Sequence, residues 1–281
     1  MDGRTKAYPP DFLILGAQKC GTTSLASALR THPQVYMPPR EGHHFSRVGA
    51  QGAGGRRYQR LFKGWSGQPV VGVKFPEYLA VPQSAEVICR ALPDVKGIVV
   101  LRNPVDRAYS AYWHAHRLGR VSKDFETSCE KEFRRVADTD LRYAWVNLIQ
   151  RGRYAEQLEW YRTCGFDPDR MLVVFFEEMI VEGATTLATV QEFLRLETSV
   201  TRLPRTNVAR ERNLPKPIRT ALAIAGVSRF RSIRRRLARF ERPFTPPPME
   251  PEVRARLVEY YRPHNARLAE LLGRDLPDWD R

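Results

Sequence analysis

"LGAQKCGTTSL", residues 15–25, decides the fold. A phosphate-binding Walker loop reads G-x-x-x-x-G-K-[ST]. Gly16 and Gly21 keep its glycine spacing, but Thr22 stands where the lysine belongs, and the lysine is Lys19, inside the loop. "DFLILG" (11–16) before it reads as a buried strand, and "TTSLASALRTH" (22–32) after it as a helix, with Leu25 and Leu29 four apart. A strand, a glycine-bearing turn and a helix start make an anion site. The N–H groups of Gly21, Thr22 and Thr23 converge there, the helix dipole reinforces them, and Thr22, Thr23 and Ser24 add hydroxyls. Cys20 lies within the same loop and is counted with its anion-binding residues; its thiol reads as a small buried filler rather than a nucleophile. The plain alternative is a strand–turn–helix with capping threonines.

Outward from the loop, apolar runs alternate with helical stretches. "VVGVK" (70–74), "KGIVVLR" (96–102) and "MLVVFFEEM" (171–179) read as strands, and 83–91, 104–118 and 152–163 as helices. Alternation of this kind implies one α/β domain over residues 1–281, with a P-loop-like central parallel sheet and helices on both faces. Ligands then sit at the carboxyl ends of the strands. "GAQGAGGRRYQ" (49–59) reads as a glycine-rich loop, "PFTPPPMEPE" (243–252) as a proline linker, and 251–272 as a last helix closed by Gly273.

The strand "GIVVL" ends in Arg102-Asn103-Pro104. A nucleoside triphosphatase places a metal-holding aspartate at such a strand end. An arginine repels a metal and attracts a second anion. The site therefore suits two separated phosphate-like groups and no metal, which disfavours a small-molecule kinase.

The chain of 281 residues carries a net charge of +15, and ten of those charges fall between Arg205 and Arg242, which hold twelve basic and two acidic residues. Such a field favours anionic ligands. Within it, "PKPIRTALAIAGVSRFRSIRRRLARFERP" (215–243) reads as a basic amphipathic helix. It is a solvated face of the core, a surface for an anionic acceptor or an acidic membrane, or a nucleic-acid contact. No nucleic-acid motif supports the last, so no nucleic-acid partner is expected. Four scattered cysteines without metal spacing read as reduced thiols in a cytoplasmic protein, peripheral to a membrane at most. No apolar run long enough to span a bilayer and no signal peptide is read.

Together these residues resemble sulfotransferases that use 3′-phosphoadenosine 5′-phosphosulfate. "GAQKCGTTSLASALRTHPQV" is similar to their 5′-phosphosulfate loop and "VLRNPVDRAYSAYWH" (100–114) to their 3′-phosphate motif. "PREGHHFSR" (39–47), "VKFPEYL" (73–79), "GRYAEQLEWY" (152–161) and "YYRPHNARLAELLGRDLPDW" (260–279) are similar to the branch of heparan sulfate N- and 3-O-sulfotransferases. The resemblance implies sulfuryl transfer to a hydroxyl or amine of a carbohydrate, glycolipid or secondary metabolite, leaving 3′,5′-adenosine bisphosphate and needing no metal. It implies Lys19 at the leaving 5′-phosphate, Glu41 as general base with His43 next in line, Lys74 near the transferred group, and Arg102 and Ser110 at the 3′-phosphate. In "RTNVARERNLPKP" (205–217), Arg210 and Arg212 stand as the counterparts of further basic contacts to the donor. Without the resemblance, Glu41 reads equally as a surface glutamate and Lys74 as a strand-end lysine. His44 shares the uncertainty of His43, each touching acceptor or standing behind it. Tyr78 either lines the acceptor site or packs, and Tyr154 either packs near the donor or fills the core. Arg107 reads as an ion-pair partner of Asp106 or a neighbour. The acceptor is expected among loops 45–66, 119–150 and 205–245, and a non-enzymatic anion- or membrane-binding protein remains the second rival.

Overall fold

A computed structural model describes residues 10–45, 56–117, 121, 124–134, 147–204, 210–212 and 241–280. Its centre is a parallel sheet of β1 (Phe12–Gly16), β2 (Val35–Tyr36), β3 (Val70–Lys74), β4 (Lys96–Leu101) and β5 (Met171–Phe175), in the order β2-β3-β1-β4-β5. Every residue of β1 is buried. Successive side chains of a strand point to opposite faces, so both faces of the sheet are covered. The order reverses direction between β1 and β4. In such sheets the ligand crevice opens beyond the carboxyl ends of the two strands at the reversal. Here those ends are Gly16, which leads into the loop of Lys19, and Leu101, which precedes Arg102.

The helices that bear on the site follow these strands. They are α1 (Thr22–Leu29), α2 (Arg56–Gln59), α3 (Pro82–Ala91), α4 (Pro104–Arg117), α5 (Phe125–Arg134), α6 (Tyr154–Thr163), α7 (Phe176–Val181), α8 (Gly183–Phe193) and α9 (Pro251–Leu272). The side chain of Asn103 opens α4 by accepting from Val105 N at 2.9 Å and Asp106 N at 3.4 Å. α9 ends at Gly273 in the left-handed conformation. A second apolar cluster joins α4, α5 and α9 through Val105, Tyr112, Phe125, Leu257 and Tyr261.

Several elements differ from the sequence reading. The strand expected over 171–179 stops at Phe175, where α7 begins. Glu177 and Glu178 fall in the first turn of α7, where carboxylates complement the helix dipole, and Glu177 Oε1 accepts from Asn103 N at 2.9 Å. Residues 56–59 of the expected glycine-rich loop are helical. Residues 241–243, included in the basic helix by the sequence reading, form β7 (Glu241–Pro243), antiparallel to β6 (Arg210–Arg212). Residues 215–240 of that expected helix lie outside the described residues. The proline segment lies against α4 instead of bridging freely: Phe244 packs on Trp113 with ring centroids 5.3 Å apart, and Tyr109 OH donates to Pro247 O at 2.8 Å. Arg107 does not pair with Asp106. Adjacent residues on a helix point about 100° apart. Asp106 faces out to Arg254 Nη1 at 2.8 Å, while Arg107 is fully buried and donates to the carbonyl of Leu148.

Candidate active site

The loop is locked to the end of β4 before any ligand is considered. Ala17 N donates to Val100 O at 2.7 Å, and Arg102 Nη1 to Lys19 O at 3.4 Å. Lys19 and Gly21 both take positive φ, at 71° and 84°. A side chain at Gly21 would be strained there, and its Cβ would lie 2.8 Å from the Phe176 ring. α1 then starts at Thr22, so the first-turn N–H groups of Thr22 and Thr23 have no acceptor within the helix and face the crevice mouth. Ser24 N is turned back to Gly21 O at 2.9 Å. Cys20 points away from the crevice into the core, its N–H bonded to Ala17 O at 3.3 Å. Burial pushes its thiol up to about 11, which leaves it protonated and poorly nucleophilic.

The crevice is strongly positive. Burial, then the guanidiniums of Arg117 and Arg102, lower the Lys19 pKa to about 8. Arg102 stacks over the Phe176 ring at 4.7 Å, a contact that fixes its direction. Ser110 lies two turns into α4, half-exposed, on the helix that starts two residues after Arg102. Arg117 was not singled out from the sequence. It sits seven residues beyond Ser110, hence on the same face of α4, and its guanidinium lies over the Phe244 ring at 5.8 Å. The spacing Ser110 to Arg117 was the signal that could have found it. Phe176 was hidden by being read as strand interior. Arg210 and Arg212 lie on β6, paired with Pro243 and Glu241 of β7. β7 leads directly to Phe244, which brings that ribbon to the far end of α4.

On the other side of the loop, Lys74 at the end of β3 joins two candidates in one contact set. Its Nζ donates to Thr23 Oγ1 at 3.0 Å and to Glu41 Oε1 at 2.7 Å. The lysine side chain is 11% exposed and the glutamate 42%, so the pair opens outward at the carboxylate. Glu41 is held there by the backbone: Gly42 N donates to Lys74 O at 3.2 Å, and the Tyr78 hydroxyl donates to Gly42 O. Tyr78 is fully buried and packs rather than lining the crevice. His43 is exposed and stands edge-on to the Phe75 ring, centroids 4.2 Å apart; His44 stands edge-on to Tyr58 at 5.0 Å. The loop, Arg102, Lys74 and Glu41 are thus linked by direct contacts.

An α/β crevice with a glycine-bearing loop after β1 and a guanidinium at the end of β4 forms a cationic site at the strand ends. The comparisons make the class specific. Residues 80–217 match the family model described as "Sulfotransferase domain". Human "Heparan sulfate glucosamine 3-O-sulfotransferase 6" is 31% identical over 270 residues, covering 95% of this chain and 72% of the relative. Human "Heparan sulfate glucosamine 3-O-sulfotransferase 3B1" is also 31% identical, over 96% of this chain; the chain spans 65% of that relative's length. The solved structure of a sulfotransferase from Alicyclobacillus acidocaldarius superposes with a TM-score of 0.73 at 30% identity, covering 98% of this chain and all of that one. The chain belongs to the sulfotransferase family. Among the described residues, no helix is long and apolar enough to cross a membrane.

Proposed function

We propose that this protein transfers a sulfuryl group from 3′-phosphoadenosine 5′-phosphosulfate to a hydroxyl or amine of a carbohydrate-type acceptor. The observation that carries the reading is Lys74, whose ammonium bonds at once to the donor loop at Thr23 and to Glu41. A group handed from loop to acceptor passes that ammonium. The donor supplies a sulfuryl group on a good leaving phosphate. Everything else falls to side chains. Lys19 offsets the charge that develops on the 5′-phosphate, and the N–H groups of Gly21, Thr22 and Thr23, with Ser24, hold it in place. Arg102 and Ser110 hold the 3′-phosphate, and Arg210 and Arg212 add positive charge from the β6–β7 ribbon. Glu41 takes the acceptor proton as the new O–S or N–S bond forms. The cationic set fits two anionic groups, and the guanidinium at the end of β4 is unsuited to a magnesium ion, so the kinase reading loses its metal site.

The relatives named for heparan sulfate glucosamine support a sugar hydroxyl as acceptor. The same reading treats residues 1–281 as one domain in the cytoplasm, with the basic stretch 205–242 drawing an anionic acceptor or an acidic membrane surface. Glu41→Gln tests the chemistry. It preserves shape and removes basicity, so turnover falls about a hundredfold or more while the affinity for 3′,5′-adenosine bisphosphate holds. Turnover within a few-fold of wild type would give the proton to His43.

A further inference from the structure

Tyr154 opens α6 and is 1% exposed, yet its hydroxyl touches both halves of the crevice. It donates to Arg102 O at 2.9 Å. Cys20 Sγ lies 3.9 Å from the same oxygen. A phenol has one proton, and it goes to the Arg102 carbonyl; the thiol, which also reaches Gln18 O at 3.7 Å, shares its one hydrogen between the Gln18 carbonyl and the phenol oxygen. Thiol, phenol and carbonyl form one chain from the loop of Lys19 to the strand end of Arg102. Of the two direct ties between those segments, Ala17 N to Val100 O at 2.7 Å lies at the start of the loop, and Arg102 Nη1 to Lys19 O at 3.4 Å uses the guanidinium that an anion would engage. The tyrosine tie uses only the carbonyl and survives that engagement.

The tyrosine is itself fixed to the helix that carries Ser110. A Cβ at Gly152 would lie 2.7 Å from Tyr261 and 2.8 Å from Pro104, so only glycine lets this backbone approach the start of α4. Just upstream, Arg107 donates to Leu148 O, while Glu132 accepts from Leu148 N and from Ile149 N, the latter at 2.6 Å. Tyr261 OH closes the clamp on Ile149 O at 2.6 Å.

We propose that the Tyr154 hydroxyl is a positioning group that sets the separation of the two anion motifs, and with it the preference for a 3′,5′-bisphosphorylated nucleotide. It touches neither phosphate and acts through Arg102 and Cys20; the proposal rests on the donor reading above. Tyr154→Phe keeps the ring against Trp279, centroids 5.9 Å apart, and removes only the hydroxyl. Calorimetry with 3′,5′-adenosine bisphosphate and with 5′-adenosine monophosphate should show the bisphosphate weakened about five- to tenfold, the scale of one neutral hydrogen bond, and the monophosphate changed by less than about twofold. Cys20→Ala, which removes the thiol alone, should narrow the preference in the same direction and carries the test if the phenylalanine variant fails to fold. A preference left at the wild-type value, or equal losses for both nucleotides, would reduce the hydroxyl to a satisfied core group. Wild-type protein that binds neither nucleotide would instead overturn the donor reading itself, and this proposal with it.

Discussion

Lys19 stands inside its loop, where a Walker loop carries its lysine directly after the second glycine. Its backbone takes φ 71°, and burial with two guanidiniums lowers its pKa to about 8. In the free protein the neighbours disfavour the ammonium; a bound polyanion favours it and raises the pKa. Binding of 3′,5′-adenosine bisphosphate near pH 8.5 should therefore take up a proton, and affinity should fall as pH rises from 7 to 9. Calorimetry in two buffers of different ionisation enthalpy reads the uptake, and Lys19→Ala should abolish it. The lysine, the glycine spacing and Arg102 were legible because each lies in a contiguous motif. The tie between Lys74, Thr23 and Glu41 was not, because it depends on β3 lying beside β1. Arg107 was misassigned for the same reason: its partner, Leu148, is forty-one residues away.

At the scale of elements, the parallel strands were legible from short apolar runs bounded by turn residues, and α4 from Pro104 at its first position. α5 was not, since Phe125–Arg134 lies in a stretch read only as loop. Its role is to carry Glu132 to the strap that precedes α6. Burial pushes that carboxyl up to about 7, even though Ile149 N, Leu148 N and Arg107 favour its charged form. A carboxyl whose folded pKa lies above its ordinary value binds more protons folded than unfolded between about pH 4.5 and 7. Its contribution to stability is present below that window and lost as pH rises through it. Melting of the wild type should accordingly decline more steeply from pH 5 to 7 than melting of Glu132→Gln; parallel slopes would show that the carboxyl is ionised throughout.

For the whole molecule, the site draws on β1, β4, α4, the end of β3 and the loop after β2, so ligand free energy should spread along those elements. A ligand at about a hundred times its dissociation constant adds roughly 2.7 kcal/mol to the folded state. Hydrogen exchange with bound 3′,5′-adenosine bisphosphate should slow in residues 15–25 and 100–112, with α3 and α8 changed least; uniform slowing would place the nucleotide elsewhere. The topology explains why so much of the site could be read ahead of the fold: a strand-order reversal puts two sequence motifs, eighty residues apart, at one mouth. What it leaves to tertiary packing is the contact of Lys74 with Thr23 and Glu41.

A site for two phosphate groups without a metal is tested by nucleotide binding, read by calorimetry in the presence of a chelator. Binding of 3′,5′-adenosine bisphosphate should be tight and unaffected by removal of divalent ions, and Arg102→Ala should weaken this ligand much more than 5′-adenosine monophosphate. Preference for ATP with magnesium, or binding of the bisphosphate that chelator abolishes, would contradict such a site.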